Sequence, residues 1–429
     1  MSSHPIVVVG TTADYIDLIR NGHPGRAIFV TDPAERTKAR ESKPELHEEL
    51  LWDLRDADQV IAALKSHLYR WDMQPGGVAC FDCESLELAA RIAMALDLPF
   101  PSPSAVVACR NKLLSKQMWS NNGLPCPQAE KIHSPSELPD RLKRLNLPVI
   151  LKPLTGSGSE LVFKCTTAED CRRALTTIQA RLEQHPDVRM YKPGKDGSSK
   201  MDSRREFVME TFIDGQEYSC DVMLEGENLE IIRIAKKLPA PDQTLGTTLA
   251  YMIPARLPPG LDQNLFERQL HKAARTLGLE RAVCMVDFIV NANTAYLLEL
   301  TPRPGGDCLR WLIRESCGLD MLGLALDFAA GDPIRLPAAS DWKSLIGVRF
   351  FARKAGIIRS IDDRHLKQDH RITSYYLKAR PGDRVKLPPE DYDSRILGHA
   401  IFKAIPPDPI LQQCLEIEAK LNIDMETAS

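Results

Sequence analysis

Short apolar runs alternate with amphipathic stretches over the first hundred residues. Ile6-Val-Val-Val9, Ala27-Ile-Phe-Val30 and Val78-Ala-Cys-Phe81 are apolar tetrads. Between and after them apolar positions recur at helical spacing, most clearly over Leu86–Leu96. This alternation predicts a parallel α/β layer. Gly10-Thr-Thr-Ala13 follows the first run but lacks the G-x-G-x-x-G spacing, so a dinucleotide site and hydride-transfer chemistry are poorly supported. The Pro-rich connector Leu98–Pro103 marks the end of this region, giving a first domain over 1–108.

The pattern then changes. Arg110–Gly123 reads as one amphipathic helix closed by Gly123, and Pro125 and Pro127 force extended chain after it. Pro148–Pro153 is a strand with a single lysine, Lys152; a small flexible loop, Thr155–Ser159, leads to a second strand over Leu161–Lys164. A helix is predicted over 168–183, and residues 186–204 have no period and read as a mobile loop. Strands are predicted over 207–213, 217–224 and 229–236, the last two joined across Glu225–Asn228. A helix over 268–279 precedes an apolar hairpin; residues 307–330 read as helix, ending at Gly331. These elements form a second domain, 109–333, with a mobile lid over about 125–213; residues 334–429 read as a separate small α+β unit with a closing helix over 409–421.

The apolar hairpin carries the most specific chemistry. Asp287 and Glu299 are the only charged side chains in the strands Ala282–Val290 and Tyr296–Leu300. A five-residue loop, 291–295, sets Val290 opposite Tyr296 and therefore Asp287 opposite Glu299. Opposed residues share a sheet face with Cβ atoms roughly 5 Å apart. Two carboxylates that close in an apolar setting repel or take up a proton unless a cation joins them, and hard Mg²⁺ prefers carboxylate oxygen. The plainer alternative is a hairpin whose acids face solvent. Arg303 follows at once, its backbone restricted between Pro302 and Pro304.

Composition narrows the class. With 429 residues, 43% apolar and 26% charged, the chain reads as a soluble globular protein of two or three domains. A net charge of −3 gives no broad basic field, so nucleic acid is not an expected partner. The 11 cysteines are scattered, and Cys80-Phe-Asp-Cys83 has no second pair to complete a zinc site. No segment reads as a signal peptide and no apolar run approaches the ~20 residues of a membrane helix, so a cytoplasmic protein without membrane contact is expected.

In order along the chain, Arg110-Asn-Lys112, Ile150-Leu-Lys-Pro153, the Gly/Ser loop 155–159, Met209-Glu-Thr-Phe-Ile213 with Gly215-Gln-Glu217, Val286-Asp-Phe288 and Glu299-Leu-Thr-Pro-Arg-Pro-Gly305 resemble the motifs of the ATP-grasp superfamily, specifically its carboxylate–amine ligases. The resemblance spans roughly residues 5–330, and Arg395–Lys403 followed by a helix is similar to the final domain of L-amino-acid ligases. It implies a multidomain α/β and α+β protein: an N-terminal Rossmann-like pre-ATP-grasp domain, a two-subdomain ATP-binding core and a small C-terminal domain. It also implies the reaction. A carboxylate takes the γ-phosphoryl group of ATP, an amine attacks the acyl phosphate, and ADP and phosphate leave.

Residue roles follow from the same resemblance. Lys152 and Lys112 contact the phosphates, and Gly156, Ser157, Gly158 and Ser159 close over them. Backbone groups of Glu210, Thr211, Phe212 and Ile213 meet the adenine edge, and Glu217 takes the ribose hydroxyls. Lys236 or its neighbour Lys237 faces the site. Asp287, Glu299 and Thr301 hold Mg²⁺, with Mn²⁺ an acceptable substitute. Arg303 meets the transferred phosphoryl group and the oxyanion. The N-terminus of the helix opened by Gly305-Gly306-Asp307 receives a substrate carboxylate. Leu238–Thr248 and Cys308–Trp311 are candidates for specificity. Thr301 departs from the family's asparagine and leaves the number of metal ions open. The implied partners are small carboxylates and amines, such as amino acids, and homodimers are frequent in the family. The rivals are a carboxylase that activates bicarbonate, for which there is no sign of a biotin substrate, and a nucleotide-binding regulator with lost catalysis, supported only by Thr301.

Overall fold

The computed structural model describes residues 4–191, 202–241 and 243–426. Of the segment expected as a mobile loop, residues 192–201 lie outside the described residues; residues 187–191 are an ordered turn in which the Asp187 carboxylate accepts the Arg189 and Met190 amides.

The N-terminal residues form a parallel sheet in the order β3-β2-β1-β4, from β1 (Ile6–Val9), β2 (Ala27–Thr31), β3 (Glu49–Leu51) and β4 (Gly77–Ala79). Helices α1 (Ala13–Gly22), α2 (Pro33–Lys38), α3 (Ala57–Arg70) and α4 (Leu86–Leu96) connect and cover it. Both faces of β1 and β2 are buried: Val7, Val9, Ile28 and Val30 pack with α3 and α4 residues, Ile6, Val8 and Phe29 with α1 and a helix far along the chain. Strand β3 has no apolar run to announce it and exists through pairing with β2.

The helix expected over 110–123 is divided. Helix α5 (Pro103–Arg110) ends and α6 (Lys112–Asn121) begins at Asn111, whose side chain accepts the amides of Leu113 and Leu114. A four-stranded antiparallel sheet follows, β5 (Ala129–Ile132), β6 (Val149–Pro153), β7 (Phe163–Cys165) and β8 (Phe207–Thr211) in the order β5-β8-β6-β7. Its outer face packs on α7 (Leu138–Leu145) and α8 (Ala168–Glu183) through Val149, Leu151, Phe207 and Met209 against Leu175, Ile178 and Leu182.

The largest layer is an eight-stranded sheet. It contains β9 (Gln216–Glu225), β10 (Asn228–Pro239), β11 (Thr248–Ile253), β12 (Arg281–Asn291), β13 (Thr294–Thr301) and β14 (Leu345–Phe351). Its order is β13-β12-β9-β10-β11-β14 and then two further C-terminal strands, Ile396–Phe402 and Ile372–Leu377. One face is covered by α5, α6 and α9 (Gln263–Thr276), with Phe266, Leu270 and Ala273 against Cys220, Val222, Val286 and Phe288. The other carries α10 (Leu309–Cys317) and α11 (Met321–Ala330). The single helix expected over 307–330 breaks because Gly318 adopts φ +79° and Asp320 caps a new helix. Residues 334–426 are not a layer apart, since β14 and its two neighbours extend the central sheet. The rest of that segment forms β15 (Gly356–Asp362), β17 (Arg384–Val385) and β19 (Asn422–Glu426), with β16 (Ile372–Leu377) and β18 (Ile396–Phe402) being the two added strands. Helices α12 (Arg364–Gln368) and α13 (Ile410–Glu418) complete it.

The acidic hairpin differs from its expected path in an instructive way. The loop has only two central residues, Ala292 (φ +43°) and Asn293 (φ +64°), and Asn291 pairs with Thr294. This is the tight turn with two left-handed residues that suits the twist of a hairpin. On its own it would put Asp287 opposite Leu298. A bulge at Leu298 shifts the register by one residue, and Asp287 pairs with Glu299 after all.

Beneath the Pro302–Gly306 turn lies a fully buried ion pair, Arg233 Nε to Asp221 Oδ2 at 2.8 Å. Arg233 also donates to Ser219 Oγ at 2.6 Å, and Asp221 Oδ1 accepts the Gly305 amide at 2.9 Å. A Cβ on Gly305 would lie 2.6 Å from Arg233 Nη2. Arg233→Met leaves Asp221 buried without its counter-ion and is expected to cost about 3–5 kcal/mol. Gly305→Ala is expected to cost about 1–3 kcal/mol by overpacking. Equilibrium urea unfolding checks both, and unchanged midpoints would remove this pair from the account.

Candidate active site

The four-stranded sheet and the eight-stranded sheet enclose a cleft, and the charged side chains of both meet in it. Asp287 lies opposite Glu299 on one side and Ser219 on the other, and Ile289 opposite Glu217, so Glu217, Asp287 and Glu299 share one face of β9, β12 and β13. Each acid meets a lysine. Lys237 Nζ is 2.6 Å from Glu217 Oε1 and 2.9 Å from Asp287 Oδ1; Lys112 Nζ is 3.5 Å from Glu299 Oε1. Burial is the main influence on Asp287 and, with the charges of Glu217 and Glu299, holds its carboxyl above the ordinary range despite Lys237. Burial pushes Glu299 the same way, but Lys112, Lys152, Lys116 and Arg303 together keep it below the ordinary range.

The lysine facing the acids is Lys237, not Lys236. Counting back from the Glu225–Asn228 turn, an unbroken ladder would set Lys236 beside Glu217. A bulge at Ile232 moves the register by one, so Lys236 pairs with Tyr218 and projects to the opposite face.

The opposite wall is organised around Glu210, which is 2% exposed. Lys152, the lone lysine of β6, reaches its Oε2 at 2.7 Å, and Lys116 of α6 reaches its Oε1 at 3.1 Å. Burial alone would raise the Glu210 carboxyl, and the two ammonium groups outweigh it and hold it low. Lys116 also donates to the Leu298 carbonyl at 2.6 Å, so it ties the smaller sheet to the bulge in β13. Sequence reasoning missed Lys116, although a lysine on the apolar face of a helix is the same signal that singled out Lys152.

The Gly/Ser loop lies folded onto the cleft. Lys112 Nζ donates to the Gly156 carbonyl at 3.0 Å, and Ser159 Oγ donates to the Gly246 carbonyl at 3.1 Å. Gly156 (φ +124°) and Gly158 (φ +62°) supply the left-handed backbone the tip needs; Ser157 lies between them. At the end of β8 the Thr211 amide donates to Gln128 O and the Phe212 amide to Pro148 O, at 2.9 and 3.2 Å. Those two N–H groups are therefore already used within the protein. Thr301 sits on the same face as Glu299, one strand step on, and is 7% exposed. Arg303 turns toward the loop after β4: its Nε donates to Cys83 Sγ at 3.2 Å and its Nη1 to Pro304 O at 2.7 Å.

These residues suit a hard divalent cation. Two opposed carboxylates, with a third alongside, concentrate negative charge that buried lysines offset. Among the described residues no three His, Cys, Asp or Glu side chains close a cage. An open carboxylate pair is the arrangement Mg²⁺ uses when phosphate oxygens and water complete its shell.

Burial lowers the Lys116 ammonium to about 8, against the partial support of Glu210. Its folded-state pKa thus lies below the unfolded value of about 10.4, and between these limits the unfolded chain binds the extra proton, so this group makes stability rise with pH from about 8 upward. Lys116→Met is expected to flatten that rise relative to the native chain in urea unfolding across pH 7–10; parallel curves would show Lys116 to titrate normally.

Residues 145–310 match the family model described as the ATP-grasp domain. An uncharacterized protein of Sinorhizobium fredii is 25% identical over 336 residues, 76% of this chain, and the match spans 64% of that relative, just under two thirds of its length. A D-alanine–D-alanine ligase of Cupriavidus taiwanensis is 26% identical over 243 residues, 54% of this chain and 67% of the relative. Among solved structures, the L-amino acid ligase from Bacillus licheniformis superposes with a TM-score of 0.77 at 17% identity, covering 100% of both chains. Residues 145–310 thus carry an ATP-grasp domain, and the chain shares the ATP-grasp fold of these neighbours.

Proposed function

We propose that the protein is an ATP-dependent ligase that joins a small carboxylate to an amine through an acyl phosphate. The observation that carries this reading is the opposed Asp287–Glu299 pair, bracketed by Lys237 and Lys112, in a cleft whose other wall presents Lys152. The matches to D-alanine–D-alanine ligase and L-amino acid ligase support the same class.

In this reading ATP lies between the two sheets. Lys152 and Lys112 offset phosphate charge, with Lys152 held extended by Glu210. Glu217, released from Lys237, accepts the ribose hydroxyls, and the end of β8 meets the adenine edge. Asp287 and Glu299, with Thr301 beside them, would hold Mg²⁺, which supplies charge neutralisation at the phosphates. The substrate carboxylate oxygen attacks the γ-phosphorus and the bond to the ADP oxygen breaks. Arg303, at the mouth of the cleft toward the N-terminal layer, stabilises charge on the transferred group. The amine then attacks the acyl carbon, loses a proton, and phosphate departs. The loop 155–159, folded over the cleft, excludes water from the acyl phosphate. The acid and amine are read as amino acids or similarly small molecules.

Incubation with Mg-ATP, pooled amino acids and small carboxylic acids tests the class: acid-dependent ADP release with a product mass of acid plus amine minus water is expected, and AMP release would overturn the acyl phosphate. Arg303→Ala is expected to bind Mg-ADP like the native chain while losing about 10²-fold or more in turnover; undiminished turnover would remove Arg303 from the chemistry. Glu299→Gln is expected to raise the Mg²⁺ requirement or abolish activity, and a native-like Mg²⁺ titration would contradict the metal assignment.

A further inference from the structure

A second cationic cluster, centred on Arg310, remains unexplained by the reading above. It is built by Tyr15 of α1, Arg310 and Trp311 of α10, Tyr376 of β16 and His399 of β18. Arg310 is 8% exposed, and both its Nε and its Nη2 lack a hydrogen-bond partner among the described residues. Those two atoms form one edge of the guanidinium, the edge that holds a carboxylate by two parallel bonds. The ring of Tyr15 lies 4.6 Å from the guanidinium carbon and that of Trp311 3.3 Å from it. The Trp311 ring in turn stacks on Tyr376 at 5.3 Å and meets His399 at 4.7 Å.

The nearby acids do not account for this cation. Asp14 accepts from Thr12 Oγ1 at 2.6 Å, Asp320 pairs with His23 Nε2 at 2.7 Å, and Asp307 pairs with Arg349 Nε at 2.9 Å. None forms an ion pair with Arg310 among the described residues. Burying a guanidinium with its bidentate edge unpaired is costly unless something arrives to pair it. Tyr376, 37% exposed, forms the outer, solvent-facing side of this cluster, while the Nε and Nη2 atoms themselves are shielded behind the rings.

We propose that the Nε–Nη2 edge of Arg310 receives a substrate carboxylate that is not the one activated, with Tyr15, Trp311 and Tyr376 enclosing the part of the substrate that bears it. The inference rests on the ligase reading for the identity of the site and deepens it. The carboxylate belongs either to the amine-donating amino acid or to a second acidic group on the activated acid, and the chemistry at Arg310 is the same in both.

Binding rather than turnover gives the test. Trp311 touches Arg310, so ligand docking changes its fluorescence, and Trp311→Phe, which keeps an aromatic wall, identifies the part of the signal due to this residue among the five tryptophans. With Mg-ADP present, the common L-amino acids and their carboxamides are titrated one at a time. Saturable, Trp311-dependent binding is expected for the acids. It should weaken about tenfold or more in the carboxamides and in Arg310→Met, with Arg310→Lys between, because the loss is of a bidentate charged contact. Binding by monocarboxylic amino acids assigns the group to the amine donor; binding confined to aspartate or glutamate, and lost in asparagine and glutamine, assigns it to a second acid group. Mg-ADP affinity in Arg310→Met serves as the check on folding. Native-like binding by Arg310→Met, equal binding of carboxamides, or no Trp311-dependent signal from any amino acid overturns the proposal. ADP release measured in parallel judges the ligase reading separately: carboxylate binding at Trp311 without turnover would sink that reading and leave Arg310 as a carboxylate receptor.

Discussion

One unpaired residue, Leu298, governs the geometry of the cleft. Its insertion into β13 does two things at once. It restores the register that brings Glu299 opposite Asp287, and its carbonyl accepts a hydrogen bond from Lys116. Lys116 is at the same time a counter-ion of Glu210, which holds Lys152. A local irregularity in one hairpin is thereby coupled to the charged wall of the other sheet. Leaving this part-buried carbonyl without its donor costs roughly 1 kcal/mol or more, so the bulge and the lysine stabilise one another.

The rest of the site is a problem in charge balance. Glu210, Glu217, Asp287 and Glu299 project into one partly buried space, opposed by Lys112, Lys116, Lys152 and Lys237. In the proposed reaction, polyphosphate and a divalent cation enter together, and each ion pair can exchange partners without leaving a charge bare. In that reading Lys237 would release the acids to the cation, and Lys112 and Lys152 would turn to phosphate. The buried Arg233–Asp221 pair takes no part in this exchange and instead fixes the turn that carries Arg303.

Much of this was legible in the chain. Lone charges in apolar strands pointed to Lys152, Asp287 and Glu299, and continuous apolar runs and the 3.6-residue period gave β1, β2, α4 and α8 nearly to the residue. What was hidden has one physical cause in several places. Bulges leave no mark on hydrophobic alternation, so the one at Ile232 made Lys236 and Lys237 indistinguishable, and the one at Leu298 compensated a turn that was read as too long. Asn111 within a helical pattern and Gly318 inside another are caps whose effect depends on tertiary packing. The Arg310 recess was out of reach because its walls come from α1, α10, β16 and β18, and nothing in the sequence joins Tyr15 to Tyr376.

The central claim is that this cleft moves the terminal phosphoryl group of ATP onto a carboxylate. Supplying amino acids and small acids with ¹⁸O in the carboxyl group, and reading the isotope in the released nucleotide and phosphate, tests it directly. The account predicts ¹⁸O in inorganic phosphate, formed together with ADP. Label in AMP, or unlabelled phosphate accompanying product, would contradict it.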